Sequence, residues 1–277
     1  MIHRSAGRHR RPRSGRVVIF VALAAISVAL MYPFYYMLRI SLTSNAQYVQ
    51  GGGFSLESWQ VLFSSVPIGQ EVLNSLILCV FGIAGTLLLA TPAGFALAKL
   101  PFRGHLVVFI GIVGSMMIPL QSIIIPEYVN LAGFGMINTF VGAILVYVAI
   151  GTPFSTFLMA TYFRGIPDDL TDAGLCDGLS YWGLFMRVGL PLAGPALATI
   201  VVLRFIPIWN DFLIGLLFLQ DPSVRPLTVG LGVLASSQLI NVPALMAGSL
   251  LSTIPAAITY VVFQRYLVRG LTLGSSQ

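Results

Sequence analysis

The sequence predicts an all-α, polytopic membrane protein with six transmembrane helices, and three observations predict it. Of its 277 residues 57% are hydrophobic and only 9% are charged, against roughly 25% charged residues in a soluble domain. Mean hydropathy is +0.90. Long, nearly charge-free stretches recur along the chain. A spanning helix needs about 20 mostly apolar residues, because in lipid every backbone amide must be satisfied within its own segment.

The elements follow in order. A basic tail, residues 1–16, carries Arg4, Arg8, Arg10, Arg11, Arg13 and Arg16 and precedes the first transmembrane helix, 17–38. The order is that of a secretory signal, but an apolar run of about 22 residues exceeds the usual 7–15, and no small-x-small cleavage site follows directly. It is read as an uncleaved first helix. Residues 39–71 form an extracellular segment. Gly51-Gly52-Gly53 reads as a flexible joint. Leu56, Trp59, Leu62 and Phe63 then recur at helical spacing, with Glu57, Ser58 and Gln60 off that face. This predicts a short interfacial helix with Trp59 in the aromatic belt.

The core, 72–264, contains the runs 72–98, 106–126, 128–163, 188–203 and 226–263. The fourth of these is prolonged past Arg204 and Asp211 to about 219, and the helix of the last is placed near 244–264. Residues 265–277 form a second tail. With the N-terminus inside, the six tail arginines, Lys99, Arg103, Arg164, Arg187, Arg265 and Arg269 all fall on the cytoplasmic side. That is twelve of the fifteen basic residues, as the positive-inside rule requires, and both termini are cytoplasmic. Beside a span the basic tail reads as a topology signal, and no nucleic-acid partner is implied.

Small residues suggest how the helices pack. Ala90, Gly94 and Ala98 fall at four-residue steps, and Gly111, Gly114 and Ser115 form a similar patch on the next span. Such faces let backbones approach closely in lipid. Cys79 lies inside the second span and Cys176 outside the membrane, so the two form neither a disulfide framework nor a metal cluster. Glu127 is placed at the outer end of the third span.

The loop 164–191 is a polar insert between greasy runs. Pro167 suits a helix start, and Asp168 and Asp169 then occupy the positive end of the helix dipole. This helix runs to about Cys176, where Asp177-Gly178 breaks it. Ser180 caps a second helix, 181–187, and Gly189-Leu190-Pro191 leads into the fifth span. The alternative reading is an amphipathic helix on lipid head groups, with Tyr181, Trp182 and Phe185 dipping into lipid.

Arg204 and Asp211 are the ionisable residues well inside a span. Such charges cost about 2.5–3.5 kcal/mol on insertion scales and face protein or water. Seven residues apart, they share a helix face at about 10 Å along the axis. With Trp209 and Asn210 they offer the aromatic face and polar edges that suit a sugar, and all four are candidates for a translocation path. Alternatively, Arg204 and Asp211 bond neighbouring helices and never meet substrate.

Asp172-Ala173-Gly174, three residues, Gly178, nine residues and Val188-x-Leu190-Pro191 resemble the E-A-A-x3-G-x9-I-x-L-P loop of type I ABC importer permeases. Phe163-Arg-Gly-Ile-Pro167, Trp209-Asn-Asp-Phe-Leu213 and Gln264-Arg-Tyr-Leu-Val-Arg-Gly-Leu-Thr-Leu-Gly274 are similar to its carbohydrate branch, of the maltose-type second-permease kind. The resemblance implies a permease bundle whose loop forms cytoplasmic coupling helices that dock on two ABC ATPase subunits. It implies coupling residues Asp172, Ala173, Gly174, Asp177 and Gly178, with Leu190 and Pro191 setting the loop's exit. It further implies a second permease subunit from a different chain, an extracellular substrate-binding protein, a di- or oligosaccharide substrate and a bacterial cell membrane. Three positions depart from the pattern. Asp172 replaces Glu, Gly174 replaces Ala at about 1 kcal/mol in a helix interior, and Leu179 stands where a small residue is usual; a looser first coupling helix is expected.

No Gly-x4-Gly-Lys-Ser/Thr occurs, and the single lysine, Lys99, follows Phe-Ala-Leu-Ala, which forms no phosphate cradle. The sequence therefore predicts no catalytic residues, no cofactor and no metal, with ATP handled by other subunits. Two readings of other classes are a stand-alone ion-coupled secondary transporter and a membrane scaffold protein. The first normally needs acidic groups near midplane, where Asp211 is nearly alone; the second leaves Trp209-Asn210-Asp211 unexplained.

Overall fold

The computed structural model describes residues 13–236 and 240–272, with side chains described over 17–236 and 240–265. Arg4, Arg8, Arg10 and Arg11 of the basic tail, and the end of the motif at Gly274, lie outside the described residues. All described secondary structure is helical. Among the described residues four helices are long and apolar enough to span a membrane, and two further helix pairs pass the same test together, giving six candidate spans when each bent pair counts as one.

The chain divides into two compact units. The first comprises residues 1–62 with 241–250. Its helix α1 (Arg13–Ser41) contains Pro33, and its side chains from Val17 to Tyr36 are exposed, as suits a helix solvated by lipid. At its end Thr43 Oγ1 donates to the Ile40 carbonyl at 2.7 Å. Helix α2 (Asn45–Gln50) opens on a capping box between Ser44 and Gln47, which satisfies two otherwise orphaned N–H groups. The glycines after it form a defined turn where a flexible joint was expected. Gly51 and Gly53 have φ of 89° and 115°, a region costly to residues with a Cβ. The chain folds back so that the Ser55 N–H meets the Leu42 carbonyl at 2.8 Å. In the following helix, α3 (Glu57–Ser65), the buried residues are Ser58 and Leu62, while Leu56 and Phe63 are exposed. The buried face is therefore rotated from the predicted apolar one. A hydrogen bond explains the difference: the Ser58 hydroxyl donates to the Ser41 carbonyl.

The second unit comprises residues 63–240 with 251–277. Helices α4 (Ile68–Lys99) and α7 (Phe140–Arg164) form its main interface. The expected small-residue face of α4 lies there: Ala90 is fully buried, and a Cβ on Gly94 would fall 2.5 Å from Met159 Cβ and 2.8 Å from the Ala160 amide nitrogen. The patch on the next span does not pack this way. Nothing lies within 4 Å of a Cβ on Gly111 or Gly114, and α5 (His105–Ser115) buries no residue.

The third span is not straight. Helix α5 meets α6 (Leu120–Gly133) at 95°, across a break ending in Pro119, which removes a donor and disfavours helical backbone at Ile118. Glu127 consequently lies within α6, not at a span end. The predicted run 128–163 is likewise divided: α6 stops at Gly133, a turn with positive φ at Gly135 and Asn138 follows, and Thr139 caps α7 by accepting from Gly142 N–H.

The loop 164–191 folds as α8 (Asp168–Cys176), α9 (Tyr181–Leu184), a π turn (Phe185–Gly189) and α10 (Leu190–Leu192). Helix α11 (Gly194–Trp209) departs at 71° from the preceding segment and ends at Trp209, short of the predicted 219. Pro207 cannot donate to the Leu203 carbonyl, and the chain restarts as α12 (Leu213–Phe218). Helix α13 (Leu227–Ala235) packs against α4, and the last helix is α14 (Val242–Thr272).

Candidate coupling element and intramembrane polar cluster

Helix α8 begins after Pro167, with Asp168 and Asp169 in its first turn. Its far end is a Schellman motif: the Leu179 N–H reaches the Gly174 carbonyl and the Gly178 N–H the Leu175 carbonyl, both at 3.0 Å. Gly178 supplies the required left-handed residue, with φ of 83°. The two departures at Gly174 and Leu179 have a shared cause here. A Cβ on Gly174 would lie 2.7 Å from a Leu184 methyl, so glycine permits α8 and α9 to pack closely. Leu179 packs against the apolar cluster beneath them.

Ser180 caps α9 by accepting from Gly183 N–H. Of the aromatic residues expected at lipid, Phe185 is instead buried, while Tyr181 and Trp182 remain exposed. Phe185 belongs to a cluster with Phe95 of α4 and Phe163 of α7; both rings lie 5.3 Å from that of Phe95. A Cβ on Gly189 would strike the Phe95 ring, so the π turn rests directly on α4. Leu190 packs at the edge of this cluster and Pro191 is exposed.

A second tie joins the loop to α4. Lys99 Nζ donates to the Ile166 carbonyl and to Asp168 Oδ1, each at 2.6 Å. The lysine side chain is 4% exposed and that of Asp168 80% exposed. Both bonds are charge-assisted, but solvent around Asp168 screens the ion pair. Asp172, Ala173, Asp177 and Gly178 all lie exposed, and Gly174 is buried. The geometry is an exposed acidic helix on an apolar base, braced at both ends against the inner part of the bundle.

The second predicted group does not form a direct ion pair. Tyr147 of α7, 3% exposed, ties its two charges separately. Arg204 donates to the Tyr147 carbonyl at 2.9 Å and lies across Gly151, where a Cβ would fall 2.5 Å from its Nε. The Tyr147 hydroxyl donates to Asp211 Oδ2 at 3.0 Å. That same oxygen accepts the Ile214 and Gly215 N–H groups at 2.9 and 3.1 Å, so Asp211 caps α12. Trp209, 2% exposed, donates from Nε1 to the Ser252 carbonyl at 2.8 Å and stacks on Phe205. Asn210 is the exposed member of the group, its side-chain amide donating to the Ile206 carbonyl one turn back at 2.9 Å. Thus Arg204, Trp209 and Asp211 each hold a neighbouring element.

Sequence reasoning missed Tyr147 and Lys99 as partners. Tyr147 carries a faint signal, a hydroxyl amid the apolar run of α7; the reach of Lys99 to a loop some seventy residues on carries none.

Comparison with known proteins matches residues 90–273 to the family described as the binding-protein-dependent transport system inner membrane component. The diacetylchitobiose uptake system permease protein NgcG of Streptomyces coelicolor is 31% identical over 90% of this chain and 85% of its own length. The arabinooligosaccharides transport system permease protein AraQ of Bacillus subtilis is 28% identical over 94% and 95% of the two chains. Among solved structures, a chain of a bacterial ABC transporter involved in the import of the acidic polysaccharide alginate superposes with a TM-score of 0.81. It is 26% identical, and the match covers 95% of this chain and 99% of that one. With the fold, the braced loop and the matched residues in agreement, this chain belongs to the family of inner-membrane permease components of binding-protein-dependent ABC transport systems.

Proposed function

We propose that this permease imports a di- or oligosaccharide, and that α8 is the element through which ATP hydrolysis on other subunits drives it. The single observation carrying the coupling assignment is the exposed face Asp172–Ala173–Asp177–Gly178, set on a base bonded to α4 through Lys99 and Phe95. A force applied to that face is passed into a spanning helix. The saccharide assignment is supported by the names of relatives that take up diacetylchitobiose and arabinooligosaccharides.

In this reading two ATPase subunits close on ATP, their clefts carry the coupling helices inward, and this chain tilts against a second, different permease. The result is rigid-body alternation around a central path. An extracellular binding protein delivers the sugar; both termini face the cytoplasm of a bacterial cell. Residues 72–264 form the permease core, and the chain itself hydrolyses nothing. Asn210 is the exposed polar contact on the path, while Arg204, Trp209 and Asp211 hold its walls.

The test is Gly178→Asp in the assembled complex. It puts a side chain at φ of 83° and an extra charge on the docking face. Insertion and assembly should persist, and substrate-stimulated ATP hydrolysis should be abolished. Unchanged stimulation would sink the coupling assignment.

A further inference from the structure

A basic groove of about 610 Å³ lies where α4 gives way to α5, lined by Leu97, Leu100, Phe102, Arg103, His105 and Arg164 among others. Among the described residues no acidic one lines it. The Arg164 cation is steadied by an aromatic ring and not by a carboxylate. The Arg164 guanidinium sits 4.6 Å from the centre of the Phe109 ring, and the His105 and Phe102 rings are 6.1 Å apart. The ion pair found among the described residues, Lys99 with Asp168, leaves Arg103 and Arg164 uncompensated. Both are exposed.

Directly after His105 in the chain, α5 presents exposed apolar side chains. Leu106, Val107 and Ile110 of α5 are 58, 73 and 59% exposed, and at 1.5 Å per residue an eleven-residue helix extends for about 16 Å. A cationic groove at the end of two spanning helices, beside an exposed apolar helix of that length, has the polarity and reach that suit one phospholipid. The neighbouring groove, about 440 Å³ and lined by Lys99, Asp168 and Asp172, has its lysine already paired and contrasts in charge. We propose that the Arg103–His105–Arg164 groove binds the phosphate of one anionic phospholipid, whose acyl chains lie along α5. The assignment holds for either orientation of the chain, because the ends of α4 and α7 meet a membrane surface in both, and it is independent of the sugar and coupling readings.

The experiment uses the purified full-length chain with its accompanying subunits, in nanodiscs of phosphatidylcholine doped with phosphatidylglycerol. Retained phosphatidylglycerol is counted by mass spectrometry after exchange into pure phosphatidylcholine. Arg103→Gln with Arg164→Gln is compared with Arg39→Gln, which removes a basic residue from the end of another span, and with the pair Arg103→Lys and Arg164→Lys. Each neutralised arginine should weaken retention about fivefold, and the glutamine pair about 25-fold. Arg39→Gln and the lysine pair should hold the lipid to within about twofold. Equal loss on Arg39→Gln would overturn the site in favour of diffuse surface charge. Equal retention of phosphatidylcholine would reduce the groove to a greasy surface. Displacement of the lipid by inorganic phosphate would make it a free-anion site, which also overturns the proposal.

Discussion

Adding one methyl at Gly94 tests how the bundle is held together. A Cβ there would lie 2.5 Å from Met159 Cβ, 2.8 Å from Ala160 N and 3.0 Å from Met159 C. Carbon atoms prefer about 3.5–4.0 Å, so α7 must retreat by roughly 1 Å. Two of the three atoms are backbone and the third is a β-carbon; none yields by side-chain rotation. A gap of that size forfeits a quarter to half of the dispersion attraction of the contacts it opens, and overpacking of this kind costs about 1–3 kcal/mol. Alanine also gains about 1 kcal/mol of helix propensity over glycine. Gly111→Ala supplies the control, because its Cβ meets nothing within 4 Å and it gains propensity without a clash. The difference between the two variants is then the clash itself, about 1–3 kcal/mol. Unfolding each chain in mixed micelles by dodecyl sulfate titration, followed by tryptophan fluorescence, reads that difference. Equal stabilities within about 0.5 kcal/mol would refute the idea that close approach at Gly94 carries the α4–α7 interface.

Three further outcomes are expected. Trp209→Phe keeps the stack on Phe205 but loses the donor to Ser252, and should lower stability by about 1 kcal/mol in the same titration; no change would mean that the indole bond contributes nothing. Lys99→Ala removes both bonds to the loop at Ile166 and Asp168. With Asp168 largely in water the loss is put at about 1–2 kcal/mol, and the ratio of substrate-stimulated to basal ATP hydrolysis should fall in the assembled transporter. An unchanged ratio would show that the lysine braces without transmitting. Asp211→Asn keeps an acceptor for the Ile214 and Gly215 N–H groups, so assembly should be normal. Uptake into vesicles should stay within about twofold, because Asp211 holds a wall and its oxygen is engaged by Tyr147 and the α12 N–H groups; a tenfold fall with normal assembly, about the worth of one hydrogen bond, would put the carboxylate itself on the path.

Hydropathy located the membrane segments because a span is defined by composition over about 20 residues. It could not locate their bends, because Met116–Pro119 is nearly as apolar as the helices it separates, and Asn210-Asp211 reads equally well as the polar face of one continuous helix. The loop 164–191 was more legible. Asp177-Gly178 and Ser180 act through local backbone geometry, so the Schellman turn and the α9 cap fall where the residues alone put them. Positions governed by distant neighbours were not legible. Gly111 and Gly94 look alike in sequence, and only the approach of α7 separates them. Arg204 and Asp211 share a helical spacing, yet the residue that joins them is Tyr147, more than fifty positions earlier.

The π turn at Phe185–Gly189 gives the chain one residue of slack. A wider turn accommodates one residue beyond the α-helical count, with the Leu190 N–H reaching back to the Phe185 carbonyl. Deleting one residue between Phe185 and Gly189 would let an ordinary α turn form in its place and leave the helix beyond it in nearly the same phase. Gly189 would stay on the Phe95 ring, and α11 would keep Arg204 at Tyr147 and Trp209 at Ser252. The turn is an expansion joint: a change of one residue in the loop is taken up there and goes no further along the chain.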